Sequence, residues 1–134
     1  YKIEDVIEVN NLIDGNTYLL GTDVTISGQI GGDLFVIAEK INLTTDSYVY
    51  GNMYAIAETI TIDGIVCDLY SMSETLDITE NGVILRDLRS FADTLSINGT
   101  VQRNTHLSVA LLTVGEKAQI KSKSRVSPTI IKKC

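Results

Sequence analysis

Short stretches of the chain alternate strictly between apolar and polar residues: Val24-Thr25-Ile26, Ile41-Asn42-Leu43, Ile60-Thr61-Ile62, Leu76-Asp77-Ile78 and Leu95-Ser96-Ile97. A two-residue period puts successive side chains on opposite faces of an extended strand, so each stretch predicts a strand with one buried face. Nowhere do apolar residues recur at i, i+3, i+4 and i+7 for long enough to predict a helix. Thr, Val, Ile and Tyr are frequent, which suits a pleated, half-buried surface.

Between these stretches one phrase returns. It reads "GGDLFVIAEKI" from Gly31, "YGNMYAIAETI" from Tyr50, "VCDLYSMSETL" from Val66 and "LRDLRSFADTL" from Leu85. Fainter copies stand at "DGNTYLLGTDV" from Asp14 and "QRNTHLSVALL" from Gln102. Aligned, they place Asn16, Asp33, Asn52, Asp68, Asp87 and Asn104 in one column, at spacings of 17, 19, 16, 19 and 17 residues. The next position holds Thr17, Leu34, Met53, Leu69, Leu88 or Thr105, and three before the Asp/Asn stands Ile13, Ile30, Val49, Ile65, Ile84 or Val101. Each copy thus holds about three short strands separated by bends at Gly, Asn or Asp, which tolerate the positive φ of tight corners. A period near 18 residues is one coil of a β-solenoid, in which every coil pairs with the coils above and below. The prediction is an all-β parallel β-helix of six to seven coils over residues 1–120, roughly 30 Å long at about 4.8 Å per coil. Residues 121–134 form a basic, serine-rich tail: a linker, an anchor to anionic lipid or an expression remnant. The longer corners "TTDSYV" and "TENGVI", against "SGQI", "NGTV" and "DGI", are expected to bulge outward from the core.

The phrase I-x-G-D-L-x-x-x-A-x-x-I-x-[IL], as at Ile30–Leu43, resembles bactofilin and related polymer-forming β-helix repeats. The linking phrase I-x-I-x-G stands at Ile60–Gly64, and "GTVQRN" from Gly99 with "TVGEKAQI" from Thr113 resembles the last coils of the extracytoplasmic branch. The resemblance implies a right-handed β-helix that assembles end to end into filaments without a nucleotide. Its extracytoplasmic branch often carries a signal peptide and a separate membrane segment, which implies a membrane-associated place in the cell envelope, with the cytoplasmic cytoskeleton as the alternative. The chain departs from the pattern at Cys67, Arg86 and Arg103, where the corner glycine is replaced.

A net charge of −6 argues against a nucleic-acid surface, which needs a basic stripe. No apolar run is long enough to span a membrane, and no leader is recognisable at Tyr1, so a signal peptide is expected to be absent or removed. Cys67 and Cys134 are too few for a disulfide framework and, with one histidine, lack zinc spacing. No P-loop or other cofactor motif is present, and neither a metal nor a cofactor is expected.

In a solenoid, candidate sites are columns. Tyr18, Phe35, Tyr54 and Tyr70 form an outward aromatic column, continued by Arg89 and His106. It is either a stacked ladder or a stripe that docks a partner, a glycan or another filament. Glu39, Glu58, Glu74 and Asp93 form an acidic column that reads as a solvated edge, since the Gly-Gly-x-Gly-x-Asp calcium repeat is missing. Thr25, Asn42, Thr61, Asp77 and Ser96, with Ser27, Thr44, Asp63, Thr79 and Asn98 beside them, read as an ordinary polar strand face. The Asp/Asn column recurs in every coil, whereas a catalytic site should break the repeat at one place. It is expected to supply bends and ladders, and no catalytic residue is expected. The ends carry the remaining candidates: Ile7, Val9 and Ile13 in the first coil, Leu112, Val114 and Ile120 in the last, as surfaces for end-to-end polymerisation. Two other readings stay open at this point, a surface module that binds a glycan or protein and a β-helix enzyme acting on polysaccharide.

Overall fold

The structure is a computed structural model that describes residues 2–120; the expected tail and Cys134 lie outside the described residues. The described residues form fifteen strands and no helix, wound into a β-solenoid of about seven coils. The first coil holds β1 (Lys2–Ile3), β2 (Val6–Val9) and a bridge at Ile13. The second holds β3 (Thr17–Leu20), β4 (Asp23–Ile26) and β5 (Gln29–Ile30), and the third β6 (Leu34–Ile37) and β7 (Lys40–Leu43). From there strands run around corners: β8 (Tyr48–Ile56), β9 (Thr59–Ile62), β10 (Ile65–Ile78), β11 (Val83–Ile84), β12 (Leu88–Ile97), β13 (Thr100–Val101), β14 (Thr105–Val114) and β15 (Gln119–Ile120). All pairings are parallel and join each coil to the next, giving the stack three sides.

The register turns the sequence columns into physical ones. On the second side Ile7, Val24, Ile41, Ile60, Leu76, Leu95 and Leu112 stack in one inward column. Val9, Ile26, Leu43, Ile62, Ile78, Ile97 and Val114 form the next. Between the two run Thr25, Asn42, Thr61, Asp77 and Ser96, facing out as the alternation requires. The inner members from Val24 to Leu95 are at most 1 % exposed, so the core behind this second side is continuously apolar.

One column differs from the sequence expectation. Val66, not Ile65, continues the third inward column from Val49 to Ile84. At this corner Cys67 alone stands opposite Tyr50 and Gly51, a bulge that shortens the coil by one residue and slips the count. The corner glycines also have a different cause from the one expected. Gly15 is the glycine with left-handed backbone, at φ +89°. Gly32 and Gly51 are instead required by close approach: a Cβ there would run into the side-chain oxygen of Asn16 or Asp33 in the preceding coil.

Nor do the long corners simply bulge. Ser47 N–H donates to the Thr44 carbonyl at 3.0 Å and Gly82 N–H to that of Thr79 at 2.9 Å, so each insertion is a closed turn. The two turns close over the short corner between them, where Thr45 (2.8 Å), Asn81 (3.3 Å) and Thr79 donate to the Asp63 carboxylate. The motif repeats one step on, where Lys117 of the last long corner pairs with Glu80 at 3.3 Å across the short corner at Asn98. Hydrogen bonds from Thr79 and then Thr45 hold the Asp63 carboxyl below its ordinary pKa, against a smaller opposing effect of burial. A depressed folded-state pKa contributes stability above the unfolded value of 3.8, lost as pH falls through the folded value. Asp63→Asn should therefore lower the urea midpoint at neutral pH and flatten its fall below about pH 4. Parallel urea titrations at several pH values check this, and equal acid slopes in the two proteins would refute it.

Candidate functional site

The first side of the solenoid carries the aromatic column. Tyr18 stacks on Phe35 with ring centroids 4.8 Å apart, Phe35 on Tyr54 at 4.7 Å and Tyr54 on Tyr70 at 5.0 Å, with interplanar angles of 6°, 6° and 12°. The Arg89 guanidinium continues the stack 5.5 Å from the Tyr70 centroid, and His106 pairs with Arg89 in the next coil. Parallel strands at their natural spacing deliver rings at stacking distance, so the repeat itself builds the ladder. The faces of Phe35, Tyr54 and Tyr70 are consequently taken by neighbours, and only ring edges meet solvent. Tyr54→Ser removes two ring contacts and should cost about 1–3 kcal/mol of unfolding free energy. Urea denaturation measures it; no loss would mean that the rings do not act as a ladder.

Two residues beyond the rings lies a second outward column that the sequence reading missed: Ile3, Leu20, Ile37, Ile56, Met72 and Phe91. They are 60, 42, 50, 48, 52 and 59 % exposed, respectively, although all are large and apolar. Between the columns runs a shallow groove of about 450 Å³, with Tyr54, Tyr70 and Arg89 on one wall and Ile56, Met72 and Phe91 on the other. Below it, Ser71 and Ser90 break the apolar core and satisfy each other, hydroxyl to hydroxyl, at 3.0 Å.

The Asp/Asn column is a ladder at the corner leading into this side. Asn16 Oδ1 accepts from the Asp33 N–H at 2.8 Å, Asp33 from Asn52 at 2.8 Å, Asp68 from Asp87 at 2.8 Å and Asp87 from Asn104 at 3.1 Å. Where the corner glycine gives way to arginine, the guanidinium covers the carboxylate one coil back. Arg86 donates from Nε at 3.1 Å and Nη2 at 2.6 Å to Asp68, and Arg103 lies 3.9 Å from Asp87. The carboxylates of Asp33, Asp68 and Asp87 are thus engaged by the neighbouring coil. Glu39 and Glu58 occupy another corner, where their backbones carry the ladder: Glu58 N–H donates to the Glu39 carbonyl at 3.0 Å and Glu74 N–H to that of Glu58 at 3.1 Å. Asp93 follows one coil on. Among the described residues no cluster of three or more His, Cys, Asp or Glu is placed to hold a metal ion. No described helix is long and apolar enough to cross a membrane.

The six end residues are the first and last members of three inward columns: Ile7 with Leu112, Val9 with Val114, Ile13 with Ile120. The two ends differ. Ile7 and Val9 are 0 and 6 % exposed and Ile13 is half-buried, whereas Leu112, Val114 and Ile120 are 43, 50 and 37 % exposed. Comparison with protein-family models, with curated proteins and with solved structures finds no match to this chain.

Proposed function

We propose that this chain is a non-enzymatic structural protein that assembles end to end into filaments, a bacterial scaffold of the cytoskeletal or envelope type. The observation that carries this reading is the last coil. β14 runs ten residues, pairs with β12 on one edge and with no described strand on the other. Beneath that edge Leu112 and Val114 are 43 and 50 % exposed at the end of the core. A long strand edge with apolar side chains beneath it is a template for another strand. In a solenoid the added strand that fits every column at once is the first coil of another copy. Ile7 and Val9 would then continue the columns that Leu112 and Val114 end, with Ile13 following Ile120. The partner in this reading is the chain itself. The resemblance to extracytoplasmic polymer-forming repeats favours a membrane-associated place in the cell envelope, with envelope components as secondary partners.

Negative-stain microscopy of the purified protein tests the proposal: unbranched filaments about as wide as one solenoid, or bundles of them, are expected. Their yield should be unchanged by chelator or by added nucleotide, since stacking is driven by apolar burial and backbone pairing. Monodisperse single solenoids at high protein concentration would overturn it.

A further inference from the structure

We infer that the first side of the solenoid is a lateral contact surface for a second copy of this chain, through the aliphatic column and the groove beside it. This contact goes beyond end stacking and does not depend on it. From Ile3 to Met72 neither the aliphatic column nor the ring column beside it contains a charged residue; the first is Arg89. The second side, by contrast, faces water with Asp23, Lys40, Asn42 and Asp77. The six exposed apolar residues present on the order of 600 Å² per copy, the upper end of the largest patch that a monomer's surface ordinarily leaves. Two copies that cover these six residues completely on each side would bury about 1,200 Å², the lower end of what specific interfaces use.

Shape commits the occupant to a copy of the same chain. The column is a ridge and the groove lies beside it, both at the coil pitch of about 4.8 Å, so a partner with the same pitch meets every side chain in step. A two-fold axis parallel to the stack turns one such side onto another and reverses its strand direction. Each ridge then enters the other's groove at equal height, Ile56 and Met72 lying against the partner's groove and its counterparts against this one. A two-fold axis across the stack, along the strands, sets ridge against ridge and groove against groove instead. The pair is therefore parallel and isologous. Should the ends also stack, the stripes of successive subunits fall into line, and the contact multiplies along the filament.

The test uses Val114→Lys, which blocks the end, so that lateral association is read alone. Sedimentation equilibrium of this variant should show a reversible dimer. Adding Met72→Glu should shift the dissociation constant at least about a hundredfold, toward monomer, with an unchanged β spectrum, since Met72 is half in water already. Adding Asn42→Glu on the second side should leave the dimer intact. A Val114→Lys monomer at all concentrations overturns the lateral contact, as does a dimer that survives Met72→Glu. A monomer that floats with phosphatidylcholine vesicles until Met72→Glu is added also overturns it, assigning the stripe to lipid. Filaments formed by Val114→Lys itself would instead count against end stacking, and their loss with Met72→Glu would support the lateral contact.

Discussion

Leu69→Asp should abolish folding. Leu69 is fully buried in the fifth of seven coils, paired with Met53 on one side and Leu88 on the other, both also fully buried. An aspartate there lies among apolar side chains, and its column neighbours Met53 and Leu88 offer no cation or donor. Burying an unpaired charge costs several kcal/mol even after relaxation, against a whole-domain stability of about 5–15 kcal/mol. A solenoid amplifies the damage. Each coil touches only its neighbours, so a failed middle coil separates two fragments that are each too short to bury a core. Circular dichroism with urea should show loss of β signal and of cooperative unfolding. Leu69→Ala leaves a cavity instead and should cost about 2–5 kcal/mol while keeping the fold. If Leu69→Asp unfolds at the parent's urea concentration, the inward register is misassigned.

What the sequence disclosed was whatever repeats with period two. Val24, Ile41, Ile60, Leu76 and Leu95 could be stacked from their alternation alone, because that alternation is the physical cause of their burial. The aromatic ladder followed for the same reason. The aliphatic column of Ile37, Ile56 and Met72 escaped, since an exposed isoleucine near a corner looks in sequence like a core residue of the next strand. Only the pairing shows which side it takes. Counting from the Asp/Asn aligns Ile65 with Val49 and Ile84, a place the structure gives to Val66, because the bulge at Cys67 deletes a position without changing the alternation around it. The alternating spacings of 17, 19, 16, 19 and 17 were visible as numbers. That long corners clasp short ones around Asp63 was not, because it depends on which corners stand above one another. The difference between the two ends was equally hidden. Ile7 and Val114 are both apolar strand residues, and only the structure distinguishes the closed end from the open one.

That difference decides how the assembly should respond to charge. Val114 is half exposed in the single chain, so a lysine at this position can carry its ammonium into water along its flexible stem. Val114→Lys should therefore fold with nearly the parent's stability. In a stacked junction the same side chain would be sealed between two cores with no carboxylate in its column. The penalty there is about 3 kcal/mol or more, a hundredfold or greater loss in the affinity of one subunit for the next. Sedimentation should then leave the protein in the supernatant, and microscopy should show no filaments. Leu112→Lys, one strand position pair earlier and 43 % exposed, should act alike. Val9→Lys should behave differently. At 6 % exposure Val9 is already enclosed within its own chain, so its lysine destabilises the subunit as well as the junction. The signature of end stacking is thus a variant at the last coil that keeps its urea midpoint and loses its filaments. Filaments that persist in Val114→Lys and disappear in Met72→Glu would mean that the polymer is built along the side of the solenoid, and end stacking would have to be abandoned.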